Sequence, residues 1–246
     1  MKIIKASYKI MKPRDLNDPN VVRDIYQGIE ESARTCYKSE TQITNESVEK
    51  MIRRLIKNGH EAMLEHEFIK VKFIVDRGVS HELVRHRIAS FAQESTRYCN
   101  YSQEKFGKEI TVIEPVCFDA LSDVEKELKY IEYLQREMAF DRMETGTPVL
   151  KAYCAWRRSC NVAENKYFEM LGYGFPPEMA RGVLPASLKT EVDMTANIRE
   201  WRHFLKLRAA GITGKPHPQM LEVAVPLLNE LRLKLPALFD DIRAME

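Results

Sequence analysis

The sequence of 246 residues lacks the features that mark several large classes of protein. No run approaches the roughly 18 apolar residues that a membrane-spanning helix needs. The five cysteines are an odd number without a CxxC pair, which argues against a disulfide framework and a structural zinc site. No G-x-G-x-x-G fingerprint occurs, which argues against a Rossmann nucleotide-binding domain. Because the amino terminus is too charged for a signal peptide, we expect a cytoplasmic protein without membrane contact and without a bound metal.

The chain also has little net charge. Lys and Arg number 38 and Asp and Glu number 36, which leaves a net charge of +2. A protein that neutralises a long run of nucleic-acid phosphates usually carries a larger basic excess, so we expect no nucleic-acid partner. Any bound anion should therefore meet a local cluster of basic side chains, which favours a small phosphorylated ligand.

Hydrophobic periodicity predicts one mixed α+β domain over residues 1–246, with a twisted, mostly antiparallel sheet flanked by helices. The predicted strands cover residues 2–10, 68–75, 109–113 and 188–195. The predicted helices cover residues 20–35, a segment from Thr44 or Asn45 to about 58, two segments within 122–171 broken near Gly146, and residues 178–183, 197–208 and a final helix kinked at Pro226.

Polar residues that can carry chemistry are densest in one segment, SHELVRHRIASFAQESTRYCNY, at residues 80–101. A short helix capped by Ser80 is predicted to carry Arg85-His86-Arg87. Successive helical side chains diverge by about 100°, so this triplet cannot face one small ligand. It could serve two ligands on either side of the helix end, or one ligand shared between subunits. Arginine, serine and backbone N–H groups suit a phosphate, but a solvated basic helix with ordinary ion pairs is the alternative.

The predicted helix at 197–208 places one arginine on an apolar face. Stepping 100° per residue puts Arg208 on the same side as a hydrophobic stripe and puts the other polar residues opposite. The stripe is Ile198, Trp201, Phe204 and Leu205, and the opposite side holds Arg199, His203 and Lys206. An unpaired buried guanidinium is very costly, so Arg208 needs either an internal carboxylate or a ligand.

The order of these motifs resembles that of a known enzyme family. Arg85-His86-Arg87, followed after seven residues by Ser95, resembles the signature of the flavin-dependent thymidylate synthases, and Thr96-Arg97-Tyr98 extends the match. Four further elements resemble the family in order and spacing: Gly59-His60 with Glu65-His66, the run from Met179 through Arg181 to Leu184-Pro185, Asn197-Ile198-Arg199 with Leu207-Arg208, and His217-Pro218-Gln219.

This resemblance implies reductive methylation of dUMP to dTMP. Methylenetetrahydrofolate would supply the carbon, and FAD reduced by NADPH would supply the hydride. It also implies a homotetramer with active sites at subunit interfaces. No cysteine stands in a recognisable nucleophile setting, in agreement with this route. Two alternatives stay open: a dUMP-binding flavoprotein with NADPH oxidase activity only, and a small RNA- or DNA-binding module.

The resemblance also implies roles for individual residues. Arg208 would be catalytic, stabilising the ionised imide of the uracil ring. The residues expected at the FAD are His60, Arg85, His86, Arg87, Gln93, Asn197, Arg199 and His203. The residues expected at the nucleotide substrate are Glu82, Arg85, Gln93, Ser95, Arg97, Arg181 and Arg208. Three of these depart from the family pattern, since Glu82 replaces a usual Gln, Gln93 a usual Glu and His203 a usual Asn. Residues 211–216 look inserted.

Overall fold

A computed structural model describes residues 1–245 except 14, 40, 42, 45, 46 and 139–145, together with all their side chains but those of 37, 137 and 138. Its strands are β1 Lys2–Ile4, β2 Ser7–Met11, β3 Phe68–Asp76, β4 Ala89–Gln93, β5 Thr111–Ile113 and β6 Lys189–Asn197. Its helices are α1 Pro19–Tyr37, α2 Ser47–Lys57, α3 Arg77–Leu83, α4 Asp123–Met138, α5 Pro148–Gly172, α6 Pro177–Ala180, α7 Ile198–Arg208, α8 Pro218–Lys234 and α9 Pro236–Phe239.

The chain divides into two compact units. The first comprises Met1–Ala6, Val75–Gly78 and Glu94–Thr190, and the second comprises Ser7–Ile74, Val79–Gln93 and Glu191–Glu246. The mixture of helices and strands confirms the predicted α+β class, while the interpretation of residues 1–246 as one domain stays a prediction. Across the described residues, no helix has the length and apolar character needed to cross a bilayer.

The second unit is built on a four-stranded sheet with the order β2-β3-β6-β4. The pairs β2–β3 and β4–β6 are antiparallel, as predicted. The sequence of strand β3 alternates between apolar and charged residues, as a strand with one buried face requires. Ile69, Val71 and Phe73 are fully buried, while Lys70 and Lys72 lie between them. The two lysines form ion pairs at 3.0 Å and 2.9 Å with Asp193 and Glu191 of β6, so one face of the sheet is apolar and the other is charged.

Helix α7 packs on the apolar face of this sheet. The rings of Trp201 and Phe204 lie 6.3 Å and 6.1 Å from the ring of Phe73. The Trp201 indole also donates a hydrogen bond to the backbone oxygen of Ile69 at 3.0 Å. The predicted apolar stripe of this helix is therefore confirmed, and it fixes which residues of α7 point away from the sheet.

The first unit consists of a short parallel strand pair and a group of helices that share a core with it. Strand β1 pairs with β5, and a core that includes Val112, Cys160, Tyr167 and Leu188 packs nearby. Helix α5 begins after Thr147, whose side chain accepts a hydrogen bond from the Leu150 amide at 3.3 Å. The predicted break between two helices near Gly146 is thus confirmed.

Two predictions about local structure were wrong. Residues 2–10 form two strands, because β1 pairs with β5 while β2 pairs with β3, and the chain must leave one sheet before it enters the other. The triplet Arg85-His86-Arg87 lies in the loop that follows α3, and Ser80 is buried inside that helix. The helix has to end before residue 89, where β4 begins its pairing with β6.

The remaining element predictions differ from the structure only in their ends. Strand β5 is two residues shorter at its start than predicted. The Thr44 hydroxyl accepts a hydrogen bond from the Ser47 amide at 3.1 Å at the start of α2, as expected of a cap; Asn45 lies outside the described residues. Helix α8 runs past Pro226, and its first turn is capped by the His217 side chain, which accepts from the Gln219 amide at 3.3 Å.

Candidate active site

The first turn of α7 is held by a side-chain cap. Asn197 precedes the helix in an extended conformation, and its side-chain oxygen accepts a hydrogen bond from the Glu200 amide at 2.8 Å. This cap satisfies one of the amides that a helix leaves unpaired at its start. It also fixes Glu200, whose side chain is only 6% exposed.

At the other end of α7, Arg208 has two partners in the second unit. Its Nη1 lies 2.8 Å from Oε2 of Glu82, and its Nε donates to Nε2 of His86 at 3.3 Å. The arginine side chain is 23% exposed. The predicted need for a partner is therefore met by an internal carboxylate together with an imidazole, and part of the guanidinium still reaches solvent.

His86 joins Arg208 to Glu200. The second ring nitrogen, Nδ1, lies 3.0 Å from Oε1 of Glu200, and the imidazole is 4% exposed. The ring also packs edge-on against Phe204, with centroids 4.9 Å apart. Burial lowers the pKa of His86 below 6.5, and the nearby charges of Arg208 and His203 lower it further, although Glu200 acts in the opposite direction.

The two flanking arginines of the triplet differ from this histidine. Arg85 and Arg87 are exposed, as is the neighbouring Ile88. Exposed and buried side chains alternate in the triplet because the loop turns His86, the middle residue, inward against α7. Both arginines thus remain open to a ligand, while both nitrogens of the histidine are already occupied.

A cavity of about 400 Å³ opens beside the first turns of α7. It is lined by polar residues on all sides except at Ile88: Glu61, Glu65, Asn197, Arg199, Glu200, His203 and Lys206. Arg199 contacts Glu65 at 2.5 Å and Lys206 lies 3.7 Å from Glu61. The cavity brings together three of the residues predicted at the flavin, namely Asn197, Arg199 and His203.

His60 and Gln93 lie elsewhere in the same unit. His60 is exposed and lines a different cavity of about 470 Å³ with Arg34, Arg54 and Asn58. Gln93 ends β4, and its amide donates to the buried hydroxyl of Ser80 at 3.0 Å. The structure therefore does not place these two residues in the cavity beside α7.

Three predicted ligands of the nucleotide lie in the first unit. The Arg97 guanidinium contacts Glu178 at 2.8 Å, and the Arg97 amide donates to the Ser95 hydroxyl at 3.3 Å. Arg181 donates to the hydroxyl of Thr96 at 3.3 Å. Within that unit, the two arginines and Ser95 belong to segments 95–97 and 178–181, which interact through Thr96 and Glu178.

Sequence reasoning missed Glu200 as a residue of the site. The signal that could have found it is the spacing Asn197-x-x-Glu200, because an acidic residue three positions after a cap is typical of a helix start. The backbone of Glu200 is fixed by the Asn197 cap, and its side-chain carboxylate is buried. Its importance depends on His86, which is remote in sequence, so the local pattern alone would not have assigned it a role.

Among the described residues, His86, Glu200 and His203 could each offer one metal ligand, with the ligand atoms within 4.8 Å of one another. Two observations favour a hydrogen-bonded group instead of a cation site. The guanidinium of Arg208 contacts the same imidazole, and its positive charge would repel a divalent cation. The two ligand atoms of His86 and Glu200 already face each other at hydrogen-bond distance.

Comparison with known proteins matches most of the chain to one family. The family model described as thymidylate synthase complementing protein matches residues 22–237. A flavin-dependent thymidylate synthase of Pyrococcus furiosus is 29% identical over 203 residues, which cover 82% of this chain and 68% of that protein. A protein of the same name from Corynebacterium aurimucosum is 28% identical, covering 87% and 78% of the two chains, and one from Sulfurisphaera tokodaii is 30% identical, covering 81% and 64%.

Solved structures share the fold. The UMP/dUMP methylase PolB from Streptomyces cacaoi, bound with 5-Br UMP, superposes with a TM-score of 0.69 over 98% of this chain and 95% of that chain, at 20% identity. The same enzyme bound with 5-Br dUMP gives the same TM-score at 21% identity. These matches show the shared fold, while the family model and the relatives confirm the family resemblance.

Proposed function

Because the chain belongs to the thymidylate synthase complementing protein family, we propose that it methylates the uracil ring of dUMP to make dTMP. The observation that carries the proposal is the state of Arg208. Its guanidinium is held from one side by a buried histidine and is still partly open to solvent. A cation fixed in advance beside a reacting ring can stabilise negative charge that develops there, which lowers a barrier by several kcal/mol.

Flavin is the cofactor of the proposed reaction, and the cavity beside α7 supports it. Arg199 and Lys206 offer cationic donors to a ligand that displaces their partners Glu65 and Glu61. Asn197 and His203 offer hydrogen-bonding groups, and Ile88 offers an apolar surface. This donor set fits the diphosphate and heterocycle of FAD, and the cavity volume falls within the range of ligand sites. Bound FAD supplies the reducing equivalents that complete the methyl group, while the chain's own residues bind and orient.

The cysteines of the described chain agree with a route that needs no protein nucleophile. Burial raises the pKa of the Cys154 thiol, and it raises that of Cys160 to about 11. Burial and the charge of Glu94 likewise raise the pKa of Cys99, the cysteine nearest to the triplet in sequence. Since the thiolate is the nucleophilic form, these three thiols are poorly suited to attack the uracil ring.

Further parts of the proposal follow the family resemblance. Methylenetetrahydrofolate is the carbon donor and NADPH reduces the flavin. The enzyme is a cytoplasmic homotetramer with sites at subunit interfaces. The residues that bind dUMP are Glu82, Ser95, Arg97 and Arg181, the last at its phosphate. His60 and Arg87 bind FAD, and Arg85 and Gln93 contact both nucleotides.

The test is release of tritium from [5-³H]dUMP by the purified protein. We expect a flavin absorbance spectrum and release that requires both methylenetetrahydrofolate and NADPH. Bound flavin and NADPH consumption without release would contradict the proposal and favour the oxidase alternative. A protein without flavin that binds DNA or RNA in a salt-sensitive manner would instead favour the nucleic-acid module.

A further inference from the structure

The hydrogen-bond partners of His86 determine where its proton lies. An arginine nitrogen can only donate, so Nε2, which contacts Nε of Arg208, must accept and carries no hydrogen. An ionised carboxylate can only accept, so Nδ1, which contacts Glu200, must donate. The two contacts together require a neutral imidazole with its hydrogen on Nδ1.

The surroundings of His86 support the neutral form. The charged groups that face the ring are Glu200 on one side and Arg208 with His203 on the other. Burial and the two basic neighbours lower its pKa, and only Glu200 opposes them. Protonation would place a second positive charge 3.3 Å from the Arg208 guanidinium, so the ring stays neutral at neutral pH.

The chain of contacts runs along the whole of α7. It begins at the Asn197 cap, continues through the buried Glu200 carboxylate to His86, and ends at Arg208 in the last turn. The guanidinium is a rigid plane, so a fixed bond at Nε together with the Glu82 contact at Nη1 sets its orientation. Of the two contacts, the one through His86 is the buried one, since Glu82 is 33% exposed and the imidazole only 4%.

From this geometry we infer that Glu200 and His86 are positioning residues, which act together to aim Arg208. Glu200 holds the imidazole in the tautomer that presents a bare Nε2 to the arginine. The inference depends on the catalytic part proposed for Arg208, and it assigns to His86 a different part from direct contact with the flavin. A misplaced catalytic group can cost on the order of 10²-fold in rate, and a wrong histidine tautomer costs about 10⁴-fold in a serine-protease triad.

Two substitutions at one position separate tautomer from charge. In Glu200→Gln, the amide oxygen still accepts from Nδ1–H, so we expect kcat within about threefold of the wild type. In Glu200→Leu, that acceptor is gone and the imidazole can move its hydrogen to Nε2, where it opposes the Arg208 donor. We expect kcat to fall by about 10- to 100-fold, with KM for dUMP changed less than about threefold and flavin absorbance retained.

Two results of this pair would overturn the inference. If both variants keep wild-type kcat, Glu200 does not act on Arg208. If both lose kcat equally, the negative charge matters and the tautomer does not.

A neutron structure of the wild-type protein tests the same inference without an activity assay. We expect deuterium on Nδ1 of His86 and none on Nε2, and the reverse would overturn the inference. This measurement decides the matter if Glu200→Leu fails to fold, and it remains informative if the protein releases no tritium from dUMP. Stoichiometric binding of Zn²⁺ that is lost in Glu200→Gln would also overturn it, because the three side chains would then form a cation site.

Discussion

Arg202 and Arg208 lie six residues apart on α7, and the structure holds them in opposite ways. Arg202 is fully buried, and its guanidinium makes two contacts of 2.7 Å with the carboxylate of Asp241 and another with the backbone oxygen of Leu238. Arg208 is partly exposed and contacts one oxygen of Glu82 and one nitrogen of a neutral imidazole. The terminal nitrogens of Arg202 are paired, although its buried Nε has no hydrogen-bond partner among the described residues. Arg208 is held by two contacts but stays partly open to solvent.

The comparison shows that pairing geometry, together with burial, separates an arginine held by internal partners from one that remains available to a ligand. A bidentate pair with a carboxylate neutralises the charge of Arg202 and fixes the carboxy-terminal segment against α7. A single carboxylate contact beside an uncharged acceptor leaves positive charge that a ligand can neutralise. Four experiments can break or sharpen this distinction, and they follow in order of decreasing expected effect.

Removing Arg208 should have the largest effect, on turnover and on dUMP binding but not on folding. We expect Arg208→Ala to fold, to bind flavin and to lose about 10²- to 10³-fold in kcat, because a preorganised donor at the developing charge is gone. Tritium release gives kcat, and thermal unfolding should show a melting temperature close to that of the wild type. Full activity in this variant would remove the contrast between the two arginines.

Replacing Arg202 should affect stability and spare the chemistry. Arg202→Met fills the same space but leaves Asp241 without its cation, which costs about 3 kcal/mol in the free energy of unfolding. For a chain of this size we expect a melting temperature lower by roughly 6–12 °C. The matched measurement is kcat of the folded variant, which should stay near the wild-type value; a stable but inactive variant would contradict the structural assignment.

Removing the charge of Glu82 should release Arg208 for the substrate. The pair is partly exposed on both sides, so it contributes about 1 kcal/mol. We expect Glu82→Gln to lower KM for dUMP by about fivefold with kcat little changed. Steady-state kinetics at several dUMP concentrations checks this, and an increase of KM would show that the contact of Glu82 with the nucleotide outweighs its competition for Arg208.

Lowering the pH should remove the contribution of the Arg202–Asp241 pair to the free energy of unfolding, and this effect should be the smallest of the four. Burial acts to raise the pKa of Asp241, but the hydrogen bonds and charge of Arg202 outweigh it and hold the pKa below 3.8. The folded carboxyl thus has a lower pKa than the unfolded one. Its stabilising contribution is complete above the unfolded pKa of about 3.9 and is lost as pH falls through the lower folded value.

Urea unfolding of the wild type and of Asp241→Asn between pH 2 and 6 measures this contribution. We expect the difference in stability between the two proteins to shrink as the pH falls below about 4. A constant difference across that range would show that Asp241 is not ionised in the pair.

Much of α7 was predictable from its sequence, while its partners were not. The 3.6-residue period identified the buried stripe of Ile198, Trp201, Phe204 and Leu205, and it placed Arg208 where a partner was required. The same period could not identify Glu82 or His86, which are more than a hundred residues away along the chain. The period also gave no sign that Arg202 would be buried. Its cover comes from residues 238–241 near the carboxy terminus, which contact the Arg202 guanidinium in the folded chain.

The errors have a common physical cause. Helix periodicity at residues 80–87 extended a helix through the triplet, whereas the pairing of β4 with β6 ends it at Leu83. The alternation of residues 2–10 suggested one strand, whereas the two halves of this segment pair with strands of two different sheets. In both places a long-range hydrogen-bond ladder decided the boundary, and a local pattern contains no information about such a partner.

The sequence by itself determined the α+β class, the main helices and the family, and it predicted the basic residues proposed for the nucleotide site. These depend on local periodicity and on the order of motifs along the chain. Only the tertiary structure decided which of those residues act together. It turned His86 inward between Glu200 and Arg208, because packing against α7 buries the middle residue of the triplet and leaves its two arginines exposed.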